Sequence, residues 1–107
     1  MSKFTIVVHG GAGTILKEDM NPELEKAYIA GLDEAITAGY AVLEQGGSAI
    51  NAVKAAVVVL EDNILFNAGR GSVFTKKGVQ EMDAAIMEGY TLAAGAVAGV
   101  RNVRNPI

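Results

Sequence analysis

The sequence predicts an α+β fold, and three observations carry that reading. A short β-branched run, "FTIVV" at 4–8, stands near the start. Two long segments follow in which apolar residues recur at three- and four-residue steps. Short strand-like stretches separated by glycine-containing turns occupy the remainder. A strand, two helices and then strands favour α+β layering over repeated βαβ units.

Phe4 to Val8 carries bulk on both faces, which predicts a buried strand. "HGGAG" at 9–13 ends it, and Thr14 to Met20 reads as polar loop. Asn21-Pro22 opens a helix, because Asn caps the first free N–H groups and Pro at the first helical position loses no hydrogen bond. Glu23 and Glu25 complement the helix dipole there. Leu24, Tyr28, Leu32, Ala35, Ile36, Gly39 and Leu43 form one apolar stripe. Gly31 and Gly39 each weaken the helix by roughly 1 kcal/mol relative to Ala, which points to close packing on another element. Gly46-Gly47 stops the helix.

Ser48 caps a second helix, "SAINAVKAAVVVLED", with Ala49, Ala52, Val53, Ala56, Val57 and Leu60 on its buried face. Val57 to Val59 is continuous and β-branched, so a strand competes there; the 3.6-residue period favours helix. Asp62 to Ser72 is irregular. Val73 to Thr75 reads as a short strand turning at Lys76-Lys77-Gly78, Met82 to Met87 as a strand, Glu88-Gly89-Tyr90 as a turn, and Leu92 to Val100 as a strand of small residues open to a second layer. Asn105-Pro106 is a breaker. No internal repeat or linker divides residues 1–107, which suit one small domain.

Composition narrows the function classes. Half of the 107 residues are hydrophobic, 13 are glycine and only two are proline. That apolar balance implies faces that bury against more than this chain contains. The net charge is −3 and no basic cluster exceeds Lys76-Lys77, which argues against nucleic acid. No cysteine and one histidine leave no Cys-based zinc site, disulfide or thiol nucleophile. The longest strictly apolar run, Ala55 to Leu60, falls far short of the ~20 residues a membrane helix needs. "MSKFTIVVHGG" has too short an apolar core for a signal peptide. The expected setting is reducing and cytoplasmic.

Three glycines at 10, 11 and 13 invite a phosphate-loop reading, but Thr14-Ile15-Leu16 stands where a P-loop needs Lys and Ser/Thr. The dinucleotide fingerprint fails too, with Leu16 at its third glycine position. His9 alone reads as a strand-end histidine, and no Asp, Ser or Cys near it suggests a triad. In "LEDNILFNAGRGS", the apolar Ile64, Leu65 and Phe66 anchor a turn at Asn67 to Gly71. Inward carbonyls there suit a hard cation and inward N–H groups an anion, and the residues do not choose. Glu81 and Asp83 share a strand face and read as solvated or structural, with Asp83, between apolar Met82 and Ala84, a candidate buried, hydrogen-bonded carboxylate. Met82 and Met87 read as core filler.

Taken together, "HGGAG" at 9–13, "LEDNILFNAG" at 60–69, "MDAAIM" at 82–87, "AGAVAGV" at 94–100 and "NPI" at 105–107 resemble the amino-terminal region of the plant-type asparaginase and isoaspartyl peptidase family, among the N-terminal-nucleophile hydrolases. "HGGAG" followed by "LFNAG" favours this branch over the glycosylasparaginases and the threonine-dependent taspase. The resemblance implies an αββα sandwich, of which this chain is the first part of the α subunit. It implies a precursor that cleaves itself ahead of a threonine, and an (αβ)₂ assembly with the resulting β subunit. The freed threonine acts as nucleophile, with its own α-amine as base. The implied substrates are L-asparagine and β-aspartyl dipeptides, and catalysis needs no cofactor.

The family's threonine lies in a "GTVGAVA"-like segment. Threonines 5, 14, 37, 75 and 91 match none, and Gly13-Thr14 is only a superficial likeness. No catalytic residue is therefore expected in this chain. By the resemblance, His9, Gly10 and Gly11 form the floor beneath the nucleophile and Asn67 stands beside it. The carbonyls of Leu60, Glu61, Asn63, Phe66, Ala68 and Arg70 match a loop that binds a structural sodium ion. Two rivals stand beside the enzyme reading: a stand-alone or engineered non-catalytic piece, and an anion-binding module built on the glycine loop. Without a partner layer, the chain is expected to fold poorly or self-associate.

Overall fold

In the computed structural model of the chain, residues 3–13 and 15–107 are described. Thr14, with its Gly-Thr likeness and its place in the 14–20 loop, lies outside the described residues. The architecture is α+β: helices α1 (Pro22–Glu44) and α2 (Ala49–Asp62), then an antiparallel pair, β1 (Met82–Met87) and β2 (Ala94–Val100).

Both helices start where their caps place them. Asn21 Oδ1 accepts the Leu24 N–H at 2.8 Å, and Ser48 Oγ accepts the Asn51 N–H at 3.1 Å. Gly46, at φ +82°, ends α1, and the Gly47 N–H donates back to the Val42 carbonyl at 2.8 Å. The β-branched run Val57 to Val59 is helical. Its place on an amphipathic face outweighs its β-propensity.

The helices meet along a seam of small residues. Ala35, Ala52 and Ala56 are the most deeply buried apolar side chains, and Gly31 and Gly39 are buried beside them. A Cβ built on Gly39 would stand 2.9 Å from the Ala52 carbonyl oxygen and would strike Ile6 Cδ1. The glycines thus mark close approach, as their cost to the helix suggested.

Residues 4–8 differ from expectation. They run unassigned to any strand, because no described residue offers them a ladder of hydrogen bonds. Phe4, Ile6 and Val8 are half-buried while Val7 is 83% exposed, so a single face is covered. Phe4 sets its ring edge-on to Tyr40 at 5.0 Å, which lays the segment along α1. The expected strand at 73–75 is likewise reduced to one bridge, Phe74 to Gln80, around the left-handed Gly78.

The hairpin follows expectation more closely. β1 has the anticipated limits, and β2 starts two residues late because Leu92 takes φ +62° in the turn. Ala84 pairs with Val97 and Ile86 with Gly95. Between Met82 and Ala84 the register slips. There Gly99 adopts φ +63°, and Asp83 Oδ1 accepts its N–H at 2.9 Å. Asp83 is hydrogen-bonded as anticipated but exposed rather than buried, because its carboxylate serves the bulge at the open end of the hairpin.

Gly39→Ala is expected to destabilise the protein by about 1–3 kcal/mol, because overpacking against a backbone carbonyl exceeds the helix-propensity gain. Urea unfolding checks both this and Gly89→Ala, whose added Cβ meets nothing within 4 Å and which is expected to be near neutral.

Candidate functional site

A cavity of about 630 Å³ opens between the glycine loop and the loop after α2. Its walls include His9, Gly10, Gly11, Tyr28, Phe66 and Asn67. Phe66 is its hinge. The ring is 5% exposed and meets Tyr28 edge-on at 5.7 Å.

The glycines have separate reasons. A Cβ on Gly10 would lie 3.1 Å from both Leu32 Cδ2 and Phe66 Cε1, so the chain passes close over the core there. Gly11 sits at φ +120°, a conformation side chains rarely adopt. His9 Nδ1 accepts the Gly11 N–H at 3.3 Å, which leaves Nε2 to carry the proton of the neutral ring. The histidine thus braces the turn that follows it.

Asn67 is oriented by its own loop. Its Oδ1 accepts the Val73 N–H at 3.0 Å, so its amide nitrogen forms no hydrogen bond among the described residues and is available to the cavity. The structure therefore brings His9, Gly10, Gly11 and Asn67 to one cavity, across more than fifty residues of sequence.

Leu60 and Ala68 also line that cavity. The Leu60, Asn63, Phe66 and Ala68 carbonyls each accept one backbone N–H, and Arg70 O accepts from Gln80 Nε2 at 3.4 Å. A Cβ on Gly69 would stand 2.5 Å from the Glu61 oxygen, and one on Gly71 would strike the Phe66 oxygen. Glycine is thus needed where the chain passes close to the Glu61 and Phe66 carbonyls, and a carbonyl that accepts one N–H retains a second lone pair. That donor set fits a hard cation such as sodium. Among the described residues no group of three His, Cys, Asp or Glu side chains could hold a metal.

The Glu61 side chain was missed in the sequence. It is 3% exposed; Oε1 accepts from Asn105 Nδ2 at 3.2 Å and Oε2 from the Ile107 N–H at 3.1 Å. The signal existed: Glu61 lies four residues beyond Val57, on the inward stripe. Beside it Asp62 accepts from Asn105 Nδ2 at 3.1 Å and from Arg104 Nε at 3.3 Å. These contacts tie "NPI" to the end of α2.

A sequence profile of the family described as asparaginase matches residues 2–107. An isoaspartyl peptidase/L-asparaginase of Xenopus laevis is 55% identical over 98% of this chain and 32% of its own length. A plant-type L-asparaginase of Pyrococcus furiosus is 59% identical over 95% of this chain and 32% of its own. An isoaspartyl peptidase of Salmonella typhimurium is 50% identical over 100% of this chain and 34% of its own. The chain spans about a third of the length of the curated relatives it matches.

The Asn105 amide, aided by Arg104, holds the Asp62 carboxyl below its ordinary value of 3.8. A lowered carboxyl pKa stabilises the tail contact in full above that ordinary value, and the gain is lost as pH falls through the lower folded value. A ¹³C titration of the Asp62 carboxyl is expected to show its midpoint below 3.8, moving upward in Asn105→Ala.

Proposed function

The chain belongs to the asparaginase family, and from that membership we propose that the protein is an amidohydrolase acting on the aspartyl side-chain carboxyl group. Its substrates in this reading are L-asparagine and β-aspartyl dipeptides. Both present an amide at the same carbon, so one site serves both. The observation that carries the proposal is the meeting of the His9–Gly11 loop and Asn67 in one cavity.

The nucleophile in this reading is a threonine outside residues 1–107, freed by self-cleavage of a precursor. Its hydroxyl attacks the amide carbonyl while its α-amine takes the proton and passes it to the departing nitrogen. Water then cleaves the resulting ester. This chain supplies the floor at His9, Gly10 and Gly11, where the glycine backbone lets a reacting group approach. The Asn67 amide N–H groups are free to orient a neighbouring polar atom. Leu60, Glu61, Asn63, Phe66, Ala68 and Arg70 would hold a sodium ion through their carbonyls, and the ion would supply a fixed charge that keeps the loop converged.

The same reading includes the αββα sandwich, a β subunit from the same precursor, an (αβ)₂ assembly and a cytoplasmic setting. The one-sided cover of residues 4–8 and the exposure of β2 support a further layer. No helix among the described residues is long and apolar enough to cross a membrane.

Denaturing mass spectrometry of the active material is expected to show a second polypeptide beginning with threonine. Active material in which no polypeptide begins with threonine would overturn the reading. Asn67→Asp keeps the acceptor for the Val73 N–H and removes the donor. It is expected to preserve the thermal midpoint while lowering kcat/KM by about tenfold or more, the scale of one lost polar contact to a reacting group.

A further inference from the structure

A second cleft, of about 430 Å³, lies on the other side of the 67–70 loop. It is lined by Arg70, Arg101 and Arg104, which are the only arginines in the 107-residue sequence. They come from three separate places, the 3₁₀ turn after α2, the end of β2 and the tail, so no local repeat explains their meeting. The six lysines all lie elsewhere.

The charges do not cancel within the cleft. Asp62 is the only carboxylate that lines it, and it serves Arg104 together with the Asn105 amide. Arg101 is engaged by Glu81, whose Oε1 accepts from its Nε at 3.1 Å. Glu61 is buried beneath the tail and does not line the cleft. Arg70 forms no ion pair among the described residues. Three guanidinium groups therefore meet two carboxylates. The unpaired one stands on a fixed backbone: Gln80 Nε2 donates to the Arg70 carbonyl at 3.4 Å and to the Ser72 carbonyl at 2.7 Å.

We infer that this cleft binds a small oxyanion, a phosphate or carboxylate group, with Arg70 as its principal donor and Arg101 and Arg104 completing the field. Guanidinium presents a planar pair of N–H donors matched to two oxygens of such a group, which a lysine ammonium does not. Arg101 and Arg104 are 55% and 81% exposed at their side chains, so both can turn from their carboxylates toward an entering anion. That exposure also makes the site weak and sensitive to salt. The cavity holding His9 and Asn67 is separate. The inference does not rest on the proposed hydrolysis.

The test is a titration of the intact, isotopically labelled protein at low ionic strength, with inorganic phosphate in one arm and acetate in the other. Amide resonances of Gly69, Arg70, Arg101 and Arg104 are the readout. Saturable shifts at these residues with either anion are expected, at millimolar concentrations. Arg70→Gln should weaken binding about tenfold, and Arg70→Lys should restore only part of it. Saturation by phosphate alone assigns a phosphate group, and saturation by acetate alone a carboxylate. No saturable shift with either anion, or shifts undiminished in Arg70→Gln, overturns the inference. Arg70 is exposed, so its replacement leaves the core intact, and the spectrum of the variant reports its fold directly.

Discussion

The close approach that glycine permits along α1 governs the arrangement of everything else. Gly39 makes room for the Ile6 side chain and the Ala52 carbonyl, so α2 and the amino-terminal segment both seat on one helical turn. Two turns earlier, a Cβ on Gly31 would stand 2.6 Å from Asn63 Nδ2 and 2.9 Å from Phe66 Cε2. That vacancy seats the loop after α2. Phe66 then fills the space beneath Gly10. A helix normally loses stability at glycine. Here the loss is offset by three elements reaching contact distance of one helix, and the walls of the large cavity follow from that contact.

A buried carboxylate is the second organising feature. Enclosing Glu61 is unfavourable unless hydrogen bonds replace its water. Those bonds come from Asn105 and from the Ile107 backbone, at the far end of the chain. Asn105 shares its amide with Asp62, and Arg104 adds a fork to the same group. The tail thus satisfies α2, and α2 orders the tail. Pro106 and Ile107 are thereby laid against Ala84, Ile86 and Val97 of the hairpin, where they line a small groove. The polar contacts hold Asn105 and Ile107, and the apolar groove takes Pro106 and Ile107, so the two kinds of contact secure one short segment.

Elements that close their own hydrogen bonds were legible in the sequence. Asn21-Pro22, Gly46 and Ser48 set the helix limits, because caps act locally. β1 was legible because its partner lies seven residues away in the same hairpin. Phe4 to Val8 was not, since a strand is defined by a neighbour and no described residue supplies one. The candidate cavity was legible as two motifs, but their meeting depends on Gly31, Phe66 and Gly10, residues that no motif joins. Glu61 was read through its carbonyl alone. Its side chain acquires a role only when a segment more than forty residues later returns to it. The arginine cleft was invisible for the same reason, as thirty residues that include the whole hairpin separate Arg70 from Arg101.

One short segment partitions the two clefts. Asn67 and Ala68 face the large cavity, while Gly69 and Arg70 line the second. Such a partition must reverse direction within four residues, and Gly69 does so at φ +50°. It is pinned from both ends, by Asn67 Oδ1 on the Val73 N–H and by Gln80 on the carbonyls at 70 and 72. Fixed hydrogen bonds at each end leave the backbone little freedom to relax when a group enters either side. The backbone of a wall held in this way keeps its position before a ligand arrives, so binding does not have to order it. The same rigidity explains why glycine is required at 69. A side chain there would collide with the Glu61 carbonyl, and neither the helix end nor the pinned loop has room to yield.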